Sequence, residues 1–140
     1  MTTPGKGLQF AFSIPTSIVF GTRALDGIGA HAKGLGFKRV LIVTDKIMSQ
    51  SDGMKQIRVK LSEAGLESAV WDGIAAEPFD TTLTEGVQRY RAERCDGLIG
   101  FGGGSAMDTA KGIGVLAVAG EDDPAPYQRF GGKTVPGCMP

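Results

Sequence analysis

The sequence predicts an α/β fold in which a parallel, Rossmann-like sheet is flanked by helices. Short apolar runs typical of buried parallel strands, such as residues 40–43, alternate with longer stretches that repeat apolar residues at helical spacing. Glycine accounts for 22 of the 140 residues, which is more than twice the usual share of about 7%. Many of these glycines fall at the predicted turns between strands and helices, as expected for a tightly wound α/β domain.

The N-terminal region is predicted to contain a short strand pair. Apolar residues alternate with smaller or polar ones over residues 10–14, and a second apolar run follows at 18–20, beyond a proline. Such a pair offers an edge with which a second copy of the chain can pair, so a homo-oligomer is an open expectation. A helix should follow, with Thr22 as its N-cap and Gly34 or Gly36 at its end.

Residues 39–44 form the clearest predicted strand, and Asp45 follows it directly. Ligands of open α/β sheets collect at the carboxyl ends of the strands, where a carboxylate can accept hydrogen bonds from ribose hydroxyls. The same carboxylate would repel the 2′-phosphate of NADP. Aspartate is also common at such a position as a helix N-cap or turn residue. Position alone leaves both interpretations of Asp45 open.

Further elements are predicted between Asp45 and the glycine-rich stretch. A helix that ends at Gly65 has a charged, solvated face, and residues 67–71 are predicted as the next strand. Its last residue, Trp71, is interpreted as a core or edge aromatic in preference to a platform for nucleotide stacking. A further helix should begin after a loop, with Thr81 or Thr82 as its N-cap.

Residues 97–112 combine a short apolar strand, three consecutive glycines and the start of a helix. The glycines, residues 102–104, let a ligand approach the backbone, and free N–H groups at a helix N-terminus point at an anion. Ser105 is the predicted N-cap, with Asp108 as an acidic partner in the first turn. Together these parts predict a phosphate-binding loop, and a strand-to-helix turn without a ligand is the alternative.

Composition argues against several functional classes. Fifteen basic residues balance fifteen acidic ones, so nothing favours binding to nucleic acid or to an anionic membrane surface. No stretch approaches the ~20 apolar residues of a membrane span, and no secretion signal is visible at the N-terminus. Cys95 and Cys138 lie far apart without C-x-x-C spacing, which indicates free thiols in a reducing compartment. A cytoplasmic protein with a small-molecule ligand is expected.

The glycine-rich stretch also carries a family resemblance. Residues 102–111, Gly-Gly-Gly-Ser-Ala-Met-Asp-Thr-Ala-Lys, resemble the nucleotide-loop signature of the iron-containing (group III) alcohol dehydrogenase family. Residues 12–21 resemble the opening strand pair of that family, and residues 40–46 are similar to its second nucleotide-domain strand. The familiar dinucleotide fingerprint places its acidic residue about 20 positions after the glycines. Here Asp45 precedes the glycines, an order that the family resemblance explains.

The resemblance implies a two-domain enzyme with an N-terminal α/β cofactor domain and a helical C-terminal domain that holds a divalent metal, often iron. Residues 1–140 are accordingly interpreted as an incomplete N-terminal dinucleotide-binding domain that ends before the metal-binding domain. An Asp and three His residues usually bind the metal in the family, and none of them can be placed in this chain. Its single histidine, His31, is interpreted as a surface residue.

For function, the resemblance implies an oxidoreductase that interconverts alcohols and carbonyl compounds by hydride transfer with NAD, NADP being less favoured because of Asp45. The isolated chain is expected to be inactive. Where relatives commonly have Asn and Thr around a proline, Glu77 and Phe79 stand here, so a cofactor contact at this loop stays open. The candidate cofactor-binding residues are Asp45, Gly102, Gly103, Gly104, Ser105 and Asp108, and no catalytic residue or metal ligand is assigned.

Two alternatives stay open from the sequence. One is a non-catalytic module that binds a nucleotide or phosphate through the same glycine loop. The other is part of a related maleylacetate reductase or glycerol dehydrogenase, which share the family resemblance. The substrate itself is not indicated by any residue of the sequence.

Overall fold

A computed structural model of the protein describes residues 16–74, 80–127 and 132–135. Within these residues a sheet contains three strands: β1 (Arg39–Val43), β2 (Glu67–Trp71) and β3 (Gly97–Gly100). Both neighbouring pairs are parallel, and the order β2-β1-β3 puts β1 in the middle. Val43 is in register with Trp71 and with Gly100, so all three strands end at one edge of the sheet. The predicted parallel α/β fold is confirmed.

The described residues form four α-helices: α1 (Ile28–Gly34), α2 (Asp52–Glu63), α3 (Asp80–Ala92) and α4 (Gly104–Ala119). Helices α1 and α2 pack on one face of the sheet, and α3 and α4 pack on the other. None of these helices is long and apolar enough to cross a membrane.

Strand β1 contributes to both hydrophobic cores because successive side chains point to opposite faces of a sheet. Val40 and Ile42 pack with α1 and α2, whereas Leu41 and Val43 pack with α3 and α4. All four side chains are fully buried. A strand covered on both faces reads as an unbroken apolar run, which is why residues 40–43 were the clearest strand signal in the sequence.

The predicted N-terminal strand pair is not observed as a pair. Its first half, residues 10–14, lies outside the described residues. The second half, residues 18–20, is described and contains no strand, and its apolar side chains are exposed. A strand needs a partner whose N–H and C=O groups complete the ladder, and no described residue pairs with this run.

Helix boundaries differ from the sequence expectation at the N-caps more than at the C-termini. Helix α1 ends at Gly34, and Gly65 follows α2 with a φ of +79°, both as predicted. Thr22 is not an N-cap, because a 3₁₀ turn precedes α1 and Gly27 is the N-cap of α1. Thr81 and Thr82 are not caps either, since α3 already begins at Asp80.

Candidate functional site

The candidate site lies at the edge of the sheet where the three strands end. Two hydrogen bonds hold the loops that follow β1 and β3 together: the amide of Phe101 donates to the carbonyl of Val43 at 2.9 Å, and the Thr44 hydroxyl donates to the carbonyl of Phe101 at 2.7 Å. The amide of Thr44 also donates to the carbonyl of Trp71 at 3.0 Å. These bonds bring the segment after β1 beside the glycine loop, residues 101–104.

Gly102 turns the chain out of β3 with a φ of +144°, a backbone conformation that L-residues with side chains rarely adopt. A β-carbon at this position would also lie 3.2 Å from the β-carbon of Ala106. The fold itself therefore requires glycine at position 102.

Gly103 and Gly104 differ from Gly102 because the fold does not require them to be glycine. Gly103 has an ordinary extended backbone, with φ −80° and ψ −165°, and Gly104 is the first residue of α4. A β-carbon at either position would meet no atom within 4 Å, and both residues are exposed. Open space beside bare backbone is the arrangement that a closely approaching ligand needs.

Helix α4 begins earlier than the sequence predicts. Gly103 is its N-cap, and the Gly103 carbonyl accepts from the amides of Ala106 at 3.1 Å and Met107 at 3.3 Å. Ser105 lies inside the first turn and makes no capping bond, and Asp108 lies beyond that turn, paired with Lys111 at 3.2 Å. The predicted capping box of Ser105 and Asp108 is therefore wrong, because the extended backbone at Gly103 starts the helix two residues sooner.

The four successive amides of residues 102–105 donate to no partner among the described residues. All four residues are exposed. Unpaired N–H groups at the start of a helix carry the positive end of the helix dipole, so they form a favourable position for an anion. The earlier start of α4 places the amides of Gly104 and Ser105 in this set.

Asp45 is half-buried at the end of β1, and the two oxygens of its carboxylate have different surroundings. Oδ1 accepts hydrogen bonds from the amides of Ile47 at 2.8 Å and Met48 at 2.9 Å, so it caps the turn that follows. Oδ2 faces the glycine loop, 3.8 Å from the position that a β-carbon on Gly102 would occupy. The turn interpretation is correct for one oxygen, and the other is directed to the loop.

Trp71 and His31 have the surroundings that the sequence indicated. Trp71, half-buried at the end of β2, packs against the core on the α3 and α4 side, and its ring lies beside Gly73 and Gly86. His31 is exposed on α1. Within residues 16–74, 80–127 and 132–135, no three His, Cys, Asp or Glu side chains are grouped in a way that would hold a metal ion.

The opposite edge of the sheet contains a separate charged cluster. The Asp96 carboxylate accepts from the amides of Lys38 and Arg39 at 2.9–3.0 Å, and Arg39 also pairs with Glu93 at 2.8 Å. Burial raises the pKa of the nearby Cys95 thiol, and the Arg39 guanidinium partly opposes that shift. This cluster fixes the start of β1 and lies away from the glycine loop.

Thr44 is the residue of this site that the sequence analysis did not single out. Its side chain is fully buried, and its hydroxyl joins the end of β1 to the glycine loop. The sequence contained one signal, a threonine at the end of an otherwise apolar strand, but its partner lies 57 residues further along the chain.

Comparison with known proteins identifies the family. The family model for iron-containing alcohol dehydrogenases matches residues 15–137. The chain is 38% identical over 109 residues to the NAD-dependent methanol dehydrogenase of Bacillus methanolicus. This alignment covers 78% of the present chain and 29% of that protein. The chain is also 38% identical over 111 residues to the 1,3-propanediol dehydrogenase of Citrobacter freundii, with the same shares covered.

Solved structures agree with the sequence comparison. The NADH-dependent butanol dehydrogenase A of Thermotoga maritima superposes with a TM-score of 0.85 at 26% identity, over 94% of this chain and 33% of that one. A 1,3-propanediol oxidoreductase superposes with a TM-score of 0.75 at 36% identity, over 79% of this chain and 29% of that one. The chain thus spans about a third of the length of these relatives. It belongs to the iron-containing alcohol dehydrogenase family.

Proposed function

We propose that this chain is the cofactor-binding part of an NAD-dependent alcohol dehydrogenase, which interconverts small alcohols and aldehydes or ketones. The observation that carries the proposal is the set of amides at residues 102–105, which have no partner among the described residues and lie where Gly103 and Gly104 leave open space at the edge of the sheet. Relatives named as NAD-dependent methanol dehydrogenase and NADH-dependent butanol dehydrogenase support the choice of cofactor and reaction.

The glycine loop binds the pyrophosphate of the cofactor in this proposal. The amides of Gly102, Gly103, Gly104 and Ser105 donate to its oxygens, and the absence of side chains at the three glycines lets the phosphates come close. The exposed hydroxyl of Ser105 is a further donor beside the same oxygens.

Asp45 selects NAD over NADP in this proposal. Its Oδ2 is the acceptor for a ribose hydroxyl of the adenosine half, while Oδ1 keeps the carboxylate in place through the turn after β1. A 2′-phosphate at the same position would meet a carboxylate of like charge, which lowers its affinity.

Asp108 is assigned to the part of the site nearer the reacting end of the cofactor. It lies on α4 beyond the turn whose amides bind the pyrophosphate, and its carboxylate is exposed beside Lys111. When bound, NAD supplies the hydride acceptor at its nicotinamide ring. The described residues offer no cluster of metal ligands, so no step of the reaction is assigned to iron here.

Binding of NADH to the chain tests the proposal directly. Trp71 is the single tryptophan of the sequence and lies at the end of β2, so energy transfer from its indole to bound NADH reports binding. We expect energy transfer that saturates as NADH is added and that is lost when ADP displaces the NADH. NADPH should give the same signal only at higher concentrations. The absence of saturable transfer with NADH, together with the absence of any effect of ADP, would contradict the proposal.

A second arm of the experiment separates this proposal from a simple phosphate-binding module. Inorganic pyrophosphate and ADP are titrated against the NADH complex under the same conditions. If pyrophosphate alone displaces NADH as well as ADP does, the chain recognises phosphate without the nucleoside. The ribose contact proposed for Asp45 would then be wrong. Oxidation of a primary alcohol by the chain with NAD and added Fe²⁺ would show that these residues suffice for turnover, against our expectation of an inactive chain.

A further inference from the structure

We infer that Thr44 is a positioning residue for the cofactor site: its buried hydroxyl fixes the peptide that precedes Gly102 and thereby aims the first amide of the glycine loop at the bound pyrophosphate. This inference rests on the proposed function, because it concerns how the same site is prepared for its ligand. It assigns a role to a residue that neither touches the cofactor nor carries a charge.

The side chain of Thr44 is held firmly in the position that this role requires. Thr44 is fully buried, and its hydroxyl donates to the carbonyl of Phe101 at 2.7 Å, a usual length for an O–H···O hydrogen bond. Its own backbone is fixed as well, since its amide donates to the carbonyl of Trp71 at 3.0 Å. The Phe101 carbonyl is therefore anchored to the central strand of the sheet.

The geometry of a peptide unit converts this anchor into a direction for the next amide. The peptide bond between Phe101 and Gly102 is trans, and in a trans peptide the carbonyl oxygen and the amide hydrogen point to opposite sides. A carbonyl held against buried Thr44 therefore turns the N–H of Gly102 away from the sheet interior. That amide has no partner among the described residues, and Gly102 is exposed.

A threonine at this position is not explained by strand packing alone. The four preceding residues of β1, Val40 to Val43, are all apolar and fully buried. Valine has nearly the same shape as threonine and suits a buried strand equally well. The hydroxyl is the one difference between them, and its bond to the Phe101 carbonyl is the one contact that valine would not make.

Three variants of the chain test the inference with matched chemistry. Thr44→Val removes the hydroxyl and keeps the shape, whereas Thr44→Ser keeps a hydroxyl at the same position. Thr109→Val is the control, because the Thr109 hydroxyl is also buried but has no hydrogen-bond partner among the residues that the structure describes. We expect Thr44→Val to weaken the binding of NADH and ADP about fivefold, the typical worth of one hydrogen bond, and the other two to bind within about twofold of the original chain.

The outcomes separate positioning from a merely structural role. If Thr44→Val lowers the midpoint of thermal unfolding and leaves both affinities unchanged, the hydroxyl only stabilises the fold, and the inference is overturned. If the original chain binds neither NADH nor ADP, the proposed function fails first. If the original chain binds NADH and Thr44→Val binds it with equal affinity, the inference about Thr44 is rejected and the proposed function stands.

Amide hydrogen exchange in the unsubstituted chain gives a test that does not depend on the folding of any variant. We expect the Gly102 amide to exchange rapidly without ligand, because it faces solvent, and to become protected when ADP is bound. The amide of Phe101, which donates to the Val43 carbonyl, should be protected in both states and serves as the internal reference. Protection of Gly102 before ADP is added would contradict the direction inferred for this amide.

Discussion

Replacing Gly102 or Gly104 by alanine separates what the fold requires of the glycine loop from what a ligand requires. At Gly102 the φ of +144° and the 3.2 Å approach to Ala106 oppose a β-carbon. Holding a residue with a side chain in such a conformation costs about 1–3 kcal/mol, and the reduced freedom of the unfolded chain returns about 0.4–1 kcal/mol. We therefore expect Gly102→Ala to destabilise the fold by about 1–2 kcal/mol.

Gly104→Ala should change stability in the opposite direction. Position 104 begins α4, and a β-carbon there meets no atom within 4 Å. Alanine in a helix is favoured over glycine by about 0.5–1 kcal/mol. Both variants should nevertheless weaken NADH binding about tenfold or more, because each disturbs charge-assisted hydrogen bonds worth about 1.5–3 kcal/mol apiece: Gly102→Ala moves the loop, and Gly104→Ala fills the space beside the amides.

The assay combines unfolding and titration of the same samples. Circular dichroism gives the unfolding midpoint, which should move by about 4 °C for each kcal/mol in a chain of this size, and energy transfer from Trp71 gives the affinity for NADH. Gly120→Ala is a matched control, since Gly120 also has a positive φ, of +73°, but lies at the far end of α4. It should lose stability and keep its affinity. A Gly104→Ala variant that binds NADH as tightly as the original chain would refute the reasoning about open space at the loop.

Three further predictions concern the carboxylate, the core and the buried thiol. Asp45→Gly should bring the affinities for NADH and NADPH closer together, and an unchanged ratio would remove Asp45 from cofactor selection. Leu41→Ala, at a fully buried position, should cost about 2–5 kcal/mol in urea unfolding; a cost within error of zero would contradict the described core. Burial raises the pKa of Cys95 in the folded chain, so the thiol ionises at lower pH in the unfolded chain. The free energy of unfolding should therefore fall as the pH rises above about 8.5, the ordinary pKa of a thiol. Cys95→Ala should flatten this slope between pH 8 and 10, roughly the range over which thiols titrate, and an identical slope would contradict it.

The elements that sequence reasoning predicted well are those whose signal is local. Strand β1 is an apolar run because it is covered on both faces, and Gly65 marks the end of α2 because it takes a positive φ. Such features are determined by a few consecutive residues, so the pattern in the sequence reports them directly.

The start of α4 is predicted two residues too late because both Gly103 and Ser105 can serve as its N-cap. Ser105 is a common N-cap type, and Asp108 stands three residues later, which is the spacing of a capping box. The observed cap is Gly103, whose carbonyl accepts the first helical bonds. Glycine adopts the extended backbone of an N-cap without any side-chain hydrogen bond. No local sequence pattern indicates that Gly103, and not Ser105, is the cap.

The role inferred for Thr44 could not be predicted because it depends on pairing between distant segments. Its partner carbonyl belongs to Phe101, and the two residues meet only once β1 and β3 lie side by side. The same holds for the carboxylate of Asp45, one oxygen of which is directed to the loop after β3. The sequence placed Asp45 and the glycines after two separate strands, and the pairing of those strands determines which atoms meet at the edge of the sheet.

The bond between Thr44 and Phe101 also bears on the order of folding. Register pairs join β1 to β2 across 28 residues, as from Arg39 to Glu67, whereas the bond to the glycine loop spans 57. Closing the longer loop costs more entropy and comes later unless other contacts intervene. A chain emerging from the ribosome would therefore assemble β1, α2 and β2 first, and the glycine loop would acquire its shape only when β3 docks against β1. The anion site proposed at this loop would then be one of the last features to form as the chain folds.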